Sequence, residues 1–394
     1  MDQEPVVYQP KTIRIFMLIY VSALLYSIHF FFIYFINSAY LVSYFGSTAL
    51  VGLLYSLGAF ANLFIFLNIG KILNRTGNYR LMIGLILLEA LCLIGLAYGQ
   101  NIYLIAVMFI ISQALNPILI FNLDIFLENY SRNEETGNIR GIFLTMTNLP
   151  PIVVPFVAGL ILTNSEYWKV YLAGAAFLIP LLYVISANFR KFKDQVYHET
   201  NSKNLARELT DNPNVYDILF DNFLLNFFYA WMSIYMPIYL HQYVGFSWPQ
   251  IGIMFSIMLL PFILFQIPLG RLEDRKYGEQ EILIMGFIIV AISTILIPYI
   301  SQANFLIWTI LLFVTRIGAS FIEISAESYF FKQVSVANIH LIGLFRMTKN
   351  LPYIFVPAIA SLVLVFFDFQ YVFLVLGLIM LVGLRYAFLL KDTK

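Results

Sequence analysis

"NLPPIVVP" (148–155) lies inside an apolar stretch long enough for one uninterrupted helix, yet it carries three prolines. Residues 350–357, "NLPYIFVP", repeat it 202 positions later, with Asn148, Leu149, Pro150, Ile152, Val154 and Pro155 matched by Asn350, Leu351, Pro352, Ile354, Val356 and Pro357. A glycine stands seven residues upstream of each asparagine, Gly141 and Gly343. A proline in a helix interior removes a hydrogen bond and kinks the helix, so a motif of this kind met twice needs a common cause. The cause is legible only once the surroundings are read.

Hydrophobic residues make up 61% of the 394 and charged residues 11%, with a mean hydropathy of +0.82, which takes the chain out of the range of water-soluble domains and into a lipid bilayer. Crossing about 30 Å of hydrocarbon at 1.5 Å per residue takes about 20 apolar residues. Twelve such runs are predicted, at 12–36, 47–68, 79–98, 102–128, 139–162, 167–188, 216–241, 249–269, 281–300, 304–331, 339–366 and 370–390. They are numbered spans 1 to 12 below. The first is too long for a signal-peptide core and lacks a small-residue cleavage pattern, so it is read as a retained helix. The lone cysteine, Cys92, allows no disulfide framework. Basic residues are scattered between apolar blocks, which gives no surface for nucleic acid.

With the N-terminus taken as cytoplasmic, only Lys169 of the 23 lysines and arginines falls in an outside loop, and Arg316, Arg346 and Lys349 fall within spans. The rest are inside. The positive-inside rule then places both ends in the cytoplasm and supports an even number of spans, because one missed helix would invert every later loop. Six spans separate span 5 from span 11, so the two proline motifs cross in the same direction, as parallel repeats do. The chain reads as two six-helix bundles, 1–188 and 215–394, joined by a polar cytoplasmic linker at 189–214. The prolines are tolerated because neighbouring helices and polar groups satisfy the freed carbonyls, the adjacent asparagine being one donor within reach. Asn148, Pro150, Pro155, Asn350, Pro352 and Pro357 are read as helix kinks, serving either packing or a hinge.

Other stretches share the offset of about 200 residues. "GKILNRTGNYR" (70–80) mirrors "GRLEDRKYGEQ" (270–280), and "NLDIFLENY" (122–130) mirrors "FIEISAESY" (321–329). At these residues the chain resembles the major facilitator superfamily. The family's G-x-x-x-D-R-x-x-G loop between spans 2 and 3 is met by Gly70, Arg75 and Gly77, with Asn74 in place of the aspartate and one residue fewer before the last glycine. Its echo between spans 8 and 9 is met more fully by Gly270, Asp274, Arg275 and Gly278. The resemblance implies spans 1, 4, 7 and 10 around a central cavity, a substrate near the bilayer midplane, and carboxylates at the inner ends of spans 4 and 10 that latch a cytoplasmic gate. Here those are Asp124, Glu128 and Glu327, with Arg75, Arg132, Arg140 and Arg275 as partners. A plain reading as interfacial charges stays open.

The residues give their own support for a polar interior. Span 1 carries Ser22, Tyr26 and His29 at helical spacing, span 7 carries Asn222, Asn226, Tyr229 and Ser233, and span 4 carries Asn116. An ionisable group inside the membrane costs about 2.5–3.5 kcal/mol even on insertion scales, so each is a functional candidate. Arg316, about 18 Å along span 10, suits a carboxylate or phosphate, or else a structural carboxylate. Glu323 is expected to pair with Arg346, while Lys349 pairs with Glu323, touches substrate or completes a relay. His29, Glu89 and Glu323 are the proton-coupling candidates, with a structural hydrogen-bonded acid the competing reading for Glu89.

No phosphate-binding G-x-x-x-x-G-K-[ST] loop, metal-spaced Cys/His set or Ser/His/Asp arrangement is present, so neither an ATP-driven pump nor an enzyme is expected, and no cofactor. The antiporter pattern G-x8-G-x3-G-P-x2-G-G fails after Gly141 at Pro150, Val154 and Ala158. The expectation is a monomeric, proton-coupled secondary transporter of a small organic solute, anionic or hydroxyl-rich, in the cell's inner membrane. The alternatives are a membrane sensor that keeps the fold and a carrier exporting lipophilic drugs.

Overall fold

The computed structural model describes residues 10–130, 136–162, 166–194, 197, 212–265, 268–269, 278–300, 302–333 and 339–390, and among them no strand occurs. Ten helices are long and apolar enough to cross a membrane, and two shorter apolar ones, Thr145–Ile161 and Trp248–Leu264, stand at spans 5 and 8. All twelve predicted spans are therefore helical, in an all-α fold. The second-copy loop residues Gly270, Asp274 and Arg275 lie outside the described residues, as does Arg132.

Span 1 is longer than the sequence suggests, a single helix Pro10–Phe45. Past the predicted end at 36 the polar pair Asn37 and Ser38 is buried, so these side chains pack inside the protein and the helix continues. Span 7 is Pro213–Ile238, followed by a π turn at Tyr239–Tyr243.

Spans 5 and 11 are broken at the proline motif and not merely bent. Span 5 consists of Thr136–Asn148 and Pro150–Ile161, and span 11 of Ile339–Met347 and Pro352–Phe366. Each second piece begins with proline, where the absent N–H would have had no partner in any case. Pro151 leaves the Thr147 carbonyl without its helical donor, and the Ser27 hydroxyl of span 1 donates to that carbonyl at 2.6 Å. Pro357 does the same to Tyr353, whose carbonyl accepts from Ser56 Oγ of span 2 at 3.5 Å, the same hydroxyl reaching the Ile354 carbonyl at 3.2 Å. The donors are thus serines of neighbouring spans, where the adjacent asparagines were expected; Asn148 is exposed and Asn350 half-buried.

The chain divides into two compact units, the first made of Met1–Ile36 and Phe60–Glu199, the second of Asn37–Ala59 and Thr200–Lys394. In the first unit span 3 (Asn78–Tyr98) packs against span 4 (Ile102–Tyr130) and span 6 (Tyr167–Asn188). In the second, span 9 (Glu279–Ile295) packs against span 10 (Phe305–Gln333) and span 12 (Tyr371–Leu389). The same neighbours recur after six spans, as duplication requires. Backbones approach closely where glycines face each other: a Cβ on Gly318 of span 10 would lie 2.7 Å from the Gly286 carbonyl oxygen of span 9. Residues 37–59 join the second unit by a similar approach, since a Cβ on Gly52 would lie 2.7 Å from Pro357 Cβ. Beside it the rings of Tyr55 and Tyr353 stack at 6.1 Å.

Candidate functional site

In the first unit polar residues of spans 1 and 4 converge on one carboxyl of span 3. Glu89 sits in span 3, a helix otherwise apolar around it, and is fully buried. Its Oε1 accepts from Ser112 Oγ at 2.7 Å and from Asn116 Nδ2 at 3.0 Å, both in span 4, and lies 3.5 Å from His29 Nε2 in span 1. The other ring nitrogen of His29 lies 3.2 Å from the Gly174 carbonyl of span 6, and Tyr26 donates to the Asn116 carbonyl at 2.8 Å. Ser112 and Asn116 stand four apart on one helix face, which lets both reach the same oxygen. Tyr26, His29 and Asn116, the polar residues of spans 1 and 4, are buried inside this unit. A buried polar group needs a hydrogen-bond partner, and neighbouring spans supply those of Tyr26 and Asn116.

The second unit holds charge of a different kind. Arg316 is 6% exposed in the middle of span 10, and its guanidinium lies 4.9 Å from the Phe228 ring and 5.4 Å from the Tyr229 ring of span 7. Stacking on aromatic faces is a way to hold a planar cation away from bulk water. The Tyr229 hydroxyl donates to Glu323 Oε2 at 3.4 Å, and the charges acting on Glu323 include Glu327, Lys349 and Arg316. Lys349 and Asn350 occupy the turn between the two halves of span 11, and Lys349 is exposed. Asn226 donates to the Asn222 carbonyl at 2.7 Å, and Asn222 donates to Thr348 Oγ1 at 2.6 Å, which ties span 7 to span 11. Ser233 reaches the Tyr353 hydroxyl at 3.3 Å.

At the loop after span 2 the motif is completed by a residue far along the chain. Asn74, standing where the aspartate is usual, exchanges two bonds with Tyr197: its Nδ2 donates to the Tyr197 carbonyl at 3.0 Å and its Oδ1 accepts the Tyr197 N–H at 3.1 Å. The carboxylate comes from the linker instead. Asp194 Oδ1 accepts from the backbone N–H of Asn78 at 2.8 Å, at the N-terminus of span 3, where the helix dipole favours an anion. Gly77 has φ +74°, and a Cβ there would meet Asp194 Oδ2 at 2.7 Å. Burial, the hydrogen bond to Asp194 and the charge of Asp194 all push the Tyr197 hydroxyl well above its usual range. Gly70 and Arg75 belong to the short helix Ile69–Thr76 leading into this turn. In the second unit Gly278 again has positive φ, +82°, and the next residue, Glu279, is buried and accepts from Lys332 of span 10 at 2.5 Å. Asp124, Glu128 and Glu327 lie toward the C-terminal ends of spans 4 and 10, with Glu128 exposed.

The sequence reading passed over Asp194, Ser112, Gly174 and Asp221. Asp221 is fully buried in span 7 and neither of its oxygens has a hydrogen-bond partner; Asp217, one turn earlier, is its charged neighbour. The signal for Asp221 is the i, i+4 spacing of the two aspartates within a span, beside the Asn222 stripe. A groove of about 510 Å³ between spans 9 and 10 is lined by Ile288, Ile292, Ile307 and Val314 and contains none of the candidate residues.

The family model described as the Major Facilitator Superfamily matches residues 19–250 and, again, 218–394. No curated protein matches the chain. Among solved structures, that of the nucleoside transporter NupG is similar over 96% of this chain and all of its own, at 15% identity and a TM-score of 0.75. A bacterial homolog to the human lysosomal transporter Spinster, in an inward-facing and unoccupied conformation, is similar over 98% of each chain at 10% identity and a TM-score of 0.76. Likeness at such identities is a likeness of fold.

Proposed function

Since the chain belongs to the Major Facilitator Superfamily, a family of membrane transporters, we propose that it is a secondary carrier that moves a small organic anion by alternating access and draws on the proton gradient. One observation carries the substrate class. Arg316 holds a permanent cation inside a membrane span, stacked on Phe228 and Tyr229, next to a tyrosine hydroxyl and a carboxyl. A planar guanidinium so held recognises a carboxylate or phosphate through two parallel hydrogen bonds. Lys349, whose charge also reaches Glu323, adds a second cation for the same anion.

A hydroxyl-rich solute is the second reading, favoured by the Tyr229–Glu323 pair, which can bind a sugar hydroxyl from both sides. NupG is named as a nucleoside transporter, and a nucleoside is one such solute. The two readings part in a thermal-shift screen of purified protein against di- and tricarboxylates, sugar phosphates and nucleosides, because a ligand that binds only the folded state raises its apparent stability. A hit should fail to shift Arg316→Gln, and Arg316→Lys should weaken it while membrane insertion is unchanged. Uptake kinetics in proteoliposomes that are the same for Arg316→Lys and the native chain would remove Arg316 from the site. The reading also places both termini and the linker at 189–214 on the cytoplasmic side, supported by the distribution of lysine and arginine.

A further inference from the structure

Span 11 gives way to span 12 at "FFDFQY" (366–371), where an acidic residue stands among aromatic rings. The helix Pro352–Phe366 makes its last bond from the Phe367 N–H to the Val363 carbonyl, so the carbonyls of Leu364, Val365 and Phe366 come after the final helical donor. Carbonyls in that position form the negative end of the helix dipole. Together with Phe367, Asp368 and Tyr371, these three residues line a pocket of about 370 Å³. The turn itself is closed by the backbone, the Tyr371 N–H donating to the Asp368 carbonyl at 3.0 Å, and the Asp368 carboxylate takes no part in that bond.

The sequence around Asp368 supplies no cation. No lysine or arginine stands between Lys349 and Arg385, and each of those lies about 20 Å or more along its span from this turn. On the orientation read from the basic residues, this face of the membrane carries only two other charges, Glu166 and Lys169, and they pair with each other. The pocket therefore sets carbonyl acceptors beside a full negative charge. That combination suits a cation with N–H groups of its own: a primary ammonium has three, a quaternary one none. The Phe367 and Tyr371 rings, with centroids 6.2 Å apart and planes at 62°, favour an organic cation over a strongly hydrated metal ion, because a ring face attracts a cation most once water is gone. The surroundings point to its source. The pocket stands at the end of a span, at the level of lipid headgroups, beside Leu362, Val365 and Phe366, which are 62%, 73% and 71% exposed.

We propose that this corner binds the primary ammonium headgroup of a phospholipid, with Asp368 as its counter-charge, the carbonyls at the end of span 11 as acceptors, and Phe367 and Tyr371 beside it. The acyl chains lie along the exposed face of span 11. A lipid held in this way ties the turn between spans 11 and 12 to the headgroup layer. The site needs only the membrane spans already described and does not rest on the carrier reading above.

The test is native mass spectrometry of the full chain in detergent, titrated with phosphatidylethanolamine, phosphatidylcholine and phosphatidylglycerol of identical acyl chains. One phosphatidylethanolamine should be retained in preference to either of the others. Asp368→Asn should weaken that preference about two- to five-fold, the range for an exposed ion pair. Should that variant fail to fold, Phe367→Leu decides the matter, because loss of the ring must weaken the preference in the same direction. Glu166→Gln removes a carboxylate from the same face and should leave the preference as it is. Soluble ethanolamine, an ammonium without chains, should compete only at far higher concentration than the lipid. The proposal is overturned if phosphatidylcholine binds as well as phosphatidylethanolamine, or if Asp368→Asn and Phe367→Leu keep the native preference. It is equally overturned if Glu166→Gln lowers the preference as much as Asp368→Asn, or if ethanolamine competes at the lipid's own concentration, which would make this a site for a free amine. No transported solute is present, so the outcome and that of the Arg316 screen stand apart.

Discussion

Span 3 carries Glu89 into the interior of the first unit, whereas the equivalent helix of the second unit, span 9, carries Val290 and Ala291 there, both fully buried. The two helices have the same place in the repeat, flanked by spans 4 and 6 in one case and 10 and 12 in the other. In the first unit the ionisable groups meet at this central helix and are bonded to hydroxyl, amide and backbone groups on two neighbours. In the second the charges have moved to spans 7 and 10, where Arg316 rests on two aromatic rings. A network of directed bonds fixes helices in one relation, while a cation on ring faces tolerates sliding, since stacking is much less directional than hydrogen bonding. The first unit thus holds its buried carboxyl in directed hydrogen bonds, and the second rests its cation on ring faces.

The sharpest way to break this comparison is to remove the cation. Arg316→Ala leaves Glu323 beside Glu327 with one compensating charge fewer, and losing one member of a buried charge set costs about 3–5 kcal/mol. Glu323 is half-buried, so the lower end of that range is expected. Unfolding in nanodiscs measures it, and Glu323→Gln in the same chain should recover part of the loss. A loss smaller than that of any single change around Glu89 would show that the second unit does not depend on its charges.

Next in size comes Ser112→Ala, which takes one of two donors from Glu89 Oε1 and should cost about 1–3 kcal/mol, as expected when a buried polar group loses its partner. Tyr26→Phe, which frees only the Asn116 carbonyl, should cost less, about 1 kcal/mol. Equal effects from the two would mean that Glu89 is not the centre of the network.

A smaller effect, with an unexpected sign, belongs to the loop after span 2. Asn74→Asp restores the residue usual in the family's motif, yet it removes the amide that donates to the Tyr197 carbonyl and brings a second carboxylate close to Asp194. The side chain is exposed, so a loss of about 0.5–1 kcal/mol is expected, growing as salt is lowered. A gain in stability would show that Asp194 does not stand in for the missing aspartate.

Twelve spans and the duplication were legible because apolar length and a 200-residue offset survive in one dimension. The meeting of His29 with Glu89 was not, since 60 residues separate them and only the packing of span 3 between its neighbours closes the gap. The proline motif was legible as an interruption, but its donors were not: Ser27 and Ser56 look like any small polar residues until the freed carbonyls of Thr147 and Tyr353 are placed beside them. Asp194 was hidden for a similar reason. It lies in a charged linker where carboxylates are common, and nothing local marks it as the cap of span 3. The charges on span 10 were the easiest to find, because an arginine among apolar residues has no bland explanation from composition alone.

The smallest effect is expected at Asp221, and its smallness is informative. A carboxyl with both oxygens buried and without a hydrogen-bond partner cannot be carried as an anion at a cost of only a few kcal/mol, so the acid form is the one compatible with this packing. Asparagine has the same shape and, like the neutral acid, no charge to bury. Asp221→Asn should therefore change stability by no more than about 0.5 kcal/mol, whereas Glu89→Gln, which disturbs two hydrogen-bond donors, should cost clearly more. Measured by unfolding in the same nanodiscs, the pair sets a lone buried acid against a networked one. If Asp221→Asn proved as costly as Glu89→Gln, the second unit would hold a charged carboxylate with a partner of its own, and the contrast between the units would reduce to one of position.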